Sequence, residues 1–255
     1  MYFPNFIAEI IPFLLLIQDA GQDDIRRQVL AIAFYAAYTV AIPLLPGLIG
    51  LRWLDKPYRF FVYLLAFTFL TELAGMLLSR MEIPNLWLYN TYTAIEYTLL
   101  MLIFSMINQN ERIRRLLLFS IPVFLVIWIF STFILKSSDQ FQGIFLSIVS
   151  VVFVIISVAT LINEMRNSEV LLVDNPVFWF SSGVLIYFAG NVIVFALIDQ
   201  LLGESEAALY SGWLIHAAMN VTKNLLFTIA IISTGAPKRV IGDLYNGIRI
   251  QQKNR

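Results

Sequence analysis

The sequence predicts an all-α membrane protein: a bundle of seven transmembrane helices with its N-terminus outside and its C-terminus in the cytoplasm. Two observations predict this fold: seven long apolar stretches, and the placement of basic residues in every second gap between them. Each stretch can cross a hydrocarbon core of ~30 Å at about 1.5 Å per helical residue. The stretches cover residues 29–51, 58–79, 85–108, 116–136, 141–163, 176–201 and 209–235.

The distribution of Lys and Arg predicts the orientation. Of the seventeen basic residues, twelve fall after the first, third and fifth stretches or in the C-terminal tail. Four fall on the other side, and Lys223 lies inside the seventh stretch. Cytoplasmic loops are enriched in Lys and Arg, so the side with twelve is predicted to be cytoplasmic. An even number of spans would place both termini on one side and mix the two groups.

Composition agrees with a membrane protein. The chain is 59% hydrophobic and 13% charged, which lies outside the range of soluble domains. The basic clusters lie beside the predicted bilayer, where anionic headgroups explain them, so they give no support for nucleic-acid binding. The absence of cysteine excludes disulfides, thiolate nucleophiles and thiolate metal sites. Short loops leave no room for a soluble domain, so the function is expected inside the bilayer or at its faces.

The two ends of the chain form separate segments. In residues 1–28, apolar side chains recur at helical spacing as far as Leu14, a stretch too short to span. No Lys or Arg precedes Arg26, which argues against a signal peptide, so an amphipathic helix on the outer leaflet is predicted. If it crossed instead, there would be eight spans. Residues 236–255 are the predicted cytoplasmic tail, in which 240–250 has the pattern of a short interfacial helix or a docking segment.

Within the bundle, residues 29–235, short loops predict that consecutive helices are antiparallel neighbours. Pro43 and Pro46 predict a kink in the first helix. Small residues on the sixth helix predict a close approach by a neighbouring backbone: Ser182, Gly183, Ala189 and Gly190.

Three ionisable residues lie inside the stretches: Glu72, Glu96 and Lys223. Charges in a bilayer are costly and usually functional. From the outer helix ends, they lie roughly 12, 16 and 20 Å deep at 1.5 Å per residue. Lys223 could therefore pair with either glutamate if the second, third and seventh helices meet. Two carboxylates and one ammonium leave an odd charge, so either one glutamate is protonated or a cation or cationic ligand binds.

Polar residues share faces with these three. They must turn inward because a polar group facing lipid would be unsatisfied. The result is a predicted polar cluster in the outer half of the bundle, open to the outside. Alternatively, the cluster is a buried ion pair that fixes helix register. The candidate ligand-binding residues are Glu72, Tyr89, Asn90, Tyr92, Glu96, Asn191, His216, Asn220, Lys223 and Asn224.

Enzymatic chemistry has little support in the sequence, and no metal or cofactor is predicted. One histidine without cysteine cannot build the usual three-histidine zinc site. Ser181 or Ser182 with His216 could form a dyad, but no GxSG string is present. Lys223 with a carboxylate on the third helix would suit a retinal Schiff base. However, Met219 stands where microbial rhodopsins carry Asp, and the sixth helix lacks their Trp–Pro pattern.

Three strings carry a family resemblance: LWLYNTYTAIEYTLL, NPVFWFSSGVLIYFAGNVIVF and IHAAMNVTKNLLFTIAI. They resemble small seven-helix membrane proteins of Bacteroidetes type, which occur alone or beside sensor histidine kinases. The resemblance covers the third, sixth and seventh helices and implies a sensory or receptor-like module. No kinase or dimerisation region is present here. The resemblance therefore implies that output passes through a separate sensor kinase or another cytoplasmic signalling protein.

The sequence thus predicts a non-enzymatic sensor in a cell membrane, expected to be a bacterial inner membrane, that binds a small ligand or ion. The alternative is a transporter of ions or small solutes that uses the same carboxylates. A transporter needs access from both faces, whereas a sensor needs it from one. The inner halves of the third and seventh helices, 99–103 and 225–232, are apolar except for Thr228, which favours one-sided access.

Overall fold

The computed structural model describes residues 31–32, 35–132, 143–168, 171–204 and 206–236, with side-chain surroundings for all of these except 144 and 197–210. The predicted interfacial segment 1–28 and the tail segment 240–250 lie outside the described residues. All regular secondary structure in the described ranges is helical, which confirms the all-α prediction.

In the described part of the chain, seven α-helices follow one another, with short 3-10 turns at Leu51–Trp53 and Leu172–Asp174. Their limits lie close to the predicted stretches. The first helix differs most at its start, since its stretch was predicted from residue 29 and α1 begins at Ala41. The fourth helix begins at Glu111, before its basic residues, because Asn110 accepts a hydrogen bond from Arg112 N and caps it. The helices are α1 Ala41–Gly50, α2 Lys56–Arg80, α3 Leu86–Ile107, α4 Glu111–Phe130, α5 Gly143–Asn167, α6 Pro176–Glu204 and α7 Glu206–Ser233.

Six of the helical segments in the described ranges are long and apolar enough to cross a membrane. The first of these spans is Tyr35–Trp53, which includes α1 and the turns around it. The exception is α3, because polar residues occupy its first half. The chain is therefore a multi-pass membrane protein. We name its two ends by the loops there: the Arg80 face, where α2 ends and α3 begins, and the Arg112 face, where α3 ends and α4 begins.

The bundle is closed by its first and last helices, since α1 packs on both α2 and α7. The most extensive packing joins α6 to α7, where two glycines of α6 receive side chains of α7. A Cβ at Gly183 would lie 2.7 Å from the Phe227 ring, and one at Gly190 would collide with Met219. The close approach predicted from the small residues of the sixth helix is thus present at these two positions.

The first helix is interrupted at Thr39–Val40, between helical turns at 35–38 and 41–50. Pro43 explains the position of the break, because it has no N–H to donate to the carbonyl of Thr39 one turn earlier. The break lets α7 bond to this segment. Asn220 donates to Ala36 O at 3.4 Å, and Asn224 donates to Thr39 Oγ1 at 2.7 Å.

Four phenylalanines from four helices form a buried cluster near the Arg112 face, which we call the phenylalanine plug: Phe61, Phe104, Phe180 and Phe227. Each is at most 4% exposed. The ring of Phe61 lies 4.9 Å from Phe180 and 4.7 Å from Phe227, both edge to face. Phe104 joins Phe180 at 5.3 Å. The plug therefore fills the centre of the bundle at this level.

Candidate functional site

A small cavity lies directly beside the phenylalanine plug, with Phe227 as part of its wall. Its volume is about 10 Å³, close to the least that one water molecule needs. Its walls come from α2, α3, α6, α7 and the residue before α1. Most lining residues are apolar, and the polar ones are Thr68, Tyr92, Glu96, Lys223 and Asn224.

Lys223 is 8% exposed and contacts an aromatic ring rather than a carboxylate. Its Nζ lies 3.9 Å from the centroid of Tyr187 and 6.0 Å from that of Phe227, a cation–π arrangement. The direct ion pair with Glu72 or Glu96 that the sequence allowed is not formed. Within the described ranges, ion pairs of 4.0 Å or less join Glu111 to two arginines of α4 and do not include Lys223. Its electrostatic partners are Glu96 and, more weakly, Glu72.

Glu96 begins a series of polar contacts that runs from α3 to the backbone of α2. Its Oε1 lies 3.0 Å from the hydroxyl of Tyr92. That hydroxyl lies 2.8 Å from Thr68 Oγ1, and Thr68 in turn donates to Leu64 O at 2.9 Å. Glu96 and Tyr92 were predicted to share a face, and they do so here. Thr68 was missed, although it lies one helical turn from Glu72 and so on the same face.

Glu72 forms a second pair nearer the Arg80 face. Its Oε2 accepts a hydrogen bond from Tyr89 at 3.3 Å. Gly75 makes room for this pair, because a Cβ there would collide with the Tyr89 hydroxyl. Asn85, just before α3, donates to Gly75 O at 3.0 Å and fixes the two helices together. Glu72 and Tyr89 are both half-buried. Glu72 and Tyr89 thus lie about one turn from the cavity, on the side away from the plug.

His216 and Asn191 form a third pair, between α7 and α6. Asn191 donates to Tyr187 O at 2.7 Å, so its Oδ1 is the atom that meets His216 Nδ1 at 2.8 Å. Since that oxygen can only accept, Nδ1 carries a hydrogen, which fixes the orientation of the imidazole. Rings of Tyr187, Phe195 and Trp213 surround it at 5.7–5.9 Å. Asn191 therefore joins His216 to the backbone carbonyl of Tyr187, the residue whose ring lies under Lys223.

Asn220 and Asn224 hold α7 against the broken first helix, as described above. Asn224 is fully buried, and its Oδ1 has no hydrogen-bond partner among the described residues. Because Asn224 also lines the cavity, it adds an acceptor that the protein itself does not satisfy.

Asn90 is the one predicted residue that lies elsewhere. It is buried on the other side of α3, where its carbonyl accepts a hydrogen bond from the Trp128 indole at 3.1 Å. It lines a separate narrow space beside Trp128 and Phe145. Tyr187 is the most important residue that was missed. It lies four residues before Asn191, so helical periodicity places both on one face.

The described part of the chain holds no group of three His, Cys, Asp or Glu side chains that could bind a metal. The suggested Ser–His dyad is not assembled in these ranges. His216 Nδ1 is occupied by Asn191, and the buried Ser181 Oγ has no hydrogen-bond partner. The site instead places Lys223, the polar series that begins at Glu96, and the Asn224 amide around a space for one water molecule.

We compared the chain with protein-family models, curated proteins and solved structures, and it matches none of them.

Proposed function

We propose that this protein is a seven-span membrane sensor, with its N-terminus outside, that binds its ligand in the polar cluster around Lys223. The observation that carries the proposal is the position of this cluster. It lies against the phenylalanine plug on one side and carries half-buried polar residues on the other. Such an arrangement supports access from one face only.

The seventh span in this proposal is α3. It has 22 residues, enough for ~33 Å at 1.5 Å per residue. It packs against α2 and α4, both of which are apolar enough to span. Its low apolarity has a physical reason. Tyr89, Tyr92 and Glu96 bond to partners inside the protein, so they need not be satisfied by lipid or water.

The orientation rests on the basic residues. In the described ranges, the Arg112 face carries Arg and Lys in all three loops or helix ends, whereas the Arg80 face carries Arg80. The positive-inside rule makes the Arg112 face cytoplasmic. The polar cluster then opens toward the outside, and the plug separates it from the cytoplasm. The basic residues of the Arg112 face are Arg52, Lys56, Arg59, Arg112, Arg114, Arg115 and Arg166.

A transporter that used the same carboxylates would have to pass its solute through the plug. Leu100, Met101 and Ile103 are each at most 2% exposed and continue the seal along α3. Opening this level would require separating close-packed rings, whereas a sensor needs only a shift between two packed arrangements. The signal would leave through the cytoplasmic loops or the tail to a separate kinase or another signalling protein.

Cysteine accessibility tests this proposal directly, because the natural chain has no cysteine. Single cysteines replace Tyr89, on the proposed entry side, and Ile103, which is fully buried next to Phe104 of the plug. Glu82→Cys and Glu111→Cys, exposed at opposite faces, report the sidedness of the vesicles. We expect a membrane-impermeant thiol reagent to label positions 82 and 89 from one side, 111 from the other, and 103 from neither. Labelling of position 103 from the side that reaches 111 would contradict the sensor and favour the transporter.

A further inference from the structure

The series from Glu96 to Leu64 has three hydrogen-bond contacts, but its two hydroxyl groups can supply hydrogens for only two of them. Three contacts join Glu96, Tyr92, Thr68 and the Leu64 carbonyl, at 3.0, 2.8 and 2.9 Å. Tyr92 and Thr68 have one hydroxyl hydrogen each, and the carbonyl has none to give. An ionised Glu96 would leave one contact without a hydrogen. A protonated Glu96 completes the series, in which Glu96 donates to Tyr92, Tyr92 to Thr68, and Thr68 to Leu64 O.

The charges around the cavity also indicate that one proton is bound. With both carboxylates ionised and Lys223 charged, the group carries one net negative charge inside the bundle. An uncompensated charge in an apolar interior costs far more than a neutral group. One proton bound to one carboxyl removes this charge, and the hydrogen-bond series identifies Glu96 as its holder. Glu72, which accepts from Tyr89, is then the carboxylate that balances Lys223.

The cavity has room for a water molecule that could carry a proton to Glu96. Its volume of about 10 Å³ admits a single water molecule and no organic ligand. Lys223 and the unsatisfied Asn224 Oδ1 line the same space as Glu96 and provide hydrogen-bonding groups for such a water. A metal cation would meet the ammonium of Lys223 at this position. Size and charge therefore favour a proton over other small ligands.

We propose that Glu96 is the site of an exchangeable proton, so that the proton itself is the ligand of the sensor. This inference rests on the proposed function. Binding converts the Glu96 carboxylate and one proton to a neutral carboxylic acid, with no other bond made or broken. On release, Tyr92 turns its hydroxyl hydrogen to Glu96, Thr68 turns to Tyr92, and Leu64 O on α2 loses its side-chain donor. The protonation of α3 is thereby coupled to the backbone of α2.

Several other charged or titratable groups surround Glu96, and they come from four helices and the first span. Lys223 on α7, Glu72 on α2 and Tyr187 on α6 interact with it electrostatically, and Tyr92 contacts it on its own helix. Beyond these, Tyr38 of the first span faces Glu72, and His216 faces Lys223. Any of them could report a pH change, so the test must identify the carboxyl group itself.

Infrared spectroscopy on the full chain in lipid nanodiscs provides this test, because only a protonated carboxyl has a carboxylic C=O stretch. We expect this band in the wild type at neutral pH, a shift in D₂O, and loss as the pH rises. Glu96→Gln should remove it, whereas the exposed control Glu82→Gln should keep it. Tyr92→Phe and Thr68→Val should shift it, because each removes a hydrogen-bond partner from the series. This shift identifies Glu96 even if Glu96→Gln does not fold.

A wild type without the band, or a band unaffected by both Glu96→Gln and Tyr92→Phe, would overturn the proton site. Sidedness is measured separately in oriented liposomes by changing the pH on one side. A band that responds only to the Arg80 side supports both proposals. A band that depends on Glu96 but responds to the Arg112 side would keep the proton site and overturn the sealed sensor. Correct one-sided cysteine labelling without a Glu96 band would do the opposite.

Discussion

The ammonium of Lys223 stands 3.9 Å from the ring centroid of Tyr187, and this contact takes the place of a direct salt bridge. A cation over an aromatic face keeps part of its electrostatic stabilisation without fixing a hydrogen-bond geometry. Lys223 can therefore remain charged near both glutamates while neither is bound to it directly. This arrangement leaves the carboxyl groups free to exchange protons, which a tight ion pair would oppose.

Removal of the Tyr187 ring should destabilise the protein. We expect Tyr187→Leu to lower the free energy of unfolding by ~2 kcal/mol, since a desolvated cation–π contact contributes about that much. Tyr187→Phe keeps the aromatic face and is the matched control, expected to lose less. Denaturation in mixed micelles measures both. Equal losses would show that the hydroxyl, rather than the ring, is what matters.

The partner of Lys223 can be found by double substitution. Lys223→Met should cost several kcal/mol, because it leaves a buried carboxylate without compensation. With Glu96 protonated, that carboxylate is Glu72, so adding Glu72→Gln should recover much of the stability and adding Glu96→Gln should not. Unfolding of the three variants measures this. Rescue by Glu96→Gln alone would place the bound proton on Glu72 instead.

Substitution of Gly183 should disturb the phenylalanine plug. A Cβ there would lie 2.7 Å from the Phe227 ring, so Gly183→Ala should cost about 1–3 kcal/mol as an overpacked site. Gly190→Ala is a matched control on the same helix. The side chain it meets is Met219, which is flexible and can move aside. Gly183→Ala should unfold at a lower temperature than Gly190→Ala. The reverse order would indicate that the plug is loosely packed.

Asn175 joins the end of α5 to the start of α6 and should be important for stability. Its amide donates to Glu164 at 2.6 Å and to Ser168 at 3.1 Å, and its Oδ1 caps α6 at Val177 N. We expect Asn175→Ala to cost about 1–3 kcal/mol, because it removes a helix cap and the hydrogen bond of a buried amide to the half-buried Glu164 carboxylate. Asn167→Ala, at an exposed position of α5, should change unfolding little. Similar losses for both would argue against the buried network.

The orientation can be tested by inserting reporters into single loops. A reporter active only outside the membrane should be active in the loop 81–85 and silent in 108–110, because the basic residues lie beside the latter. Activity in 108–110 would reverse the bundle. The cysteine positions on either face would then exchange their expected accessibility.

The sequence predicted the helices well because apolar length and basic residues are local properties of the chain. It also predicted a polar cluster, and Tyr92, Glu96, Lys223 and Asn224 of that cluster line one cavity. Inward-facing polar residues on neighbouring helices tend to meet. Asn90 lies apart from the cavity because six residues of a helix rotate by about 240°, so Asn90 cannot share the face of Glu96. Its contact with Trp128 depends on where α4 packs.

Contacts between distant helices could not be read from the sequence. Lys223 lies over Tyr187 because α6 and α7 pack closely through their glycines, and no local pattern specifies that distance. The bonds of Asn220 and Asn224 to the first span likewise depend on the first and last helices being neighbours. The charge count left two possibilities, a protonated glutamate or a bound cation. Our proposal that Glu96 holds the proton depends on the geometry of Tyr92 and Thr68.

The proline break in the first span divides that helix into two pieces with different attachments. The piece at 35–38 and Thr39 are bonded by amides of α7, whereas Ala41–Gly50 also packs on α2. A small rotation of α7 around Lys223 would therefore carry the earlier piece with it and bend the span at Thr39–Val40. Ligand binding at the centre of the protein would in this way alter the angle at which the chain enters the membrane.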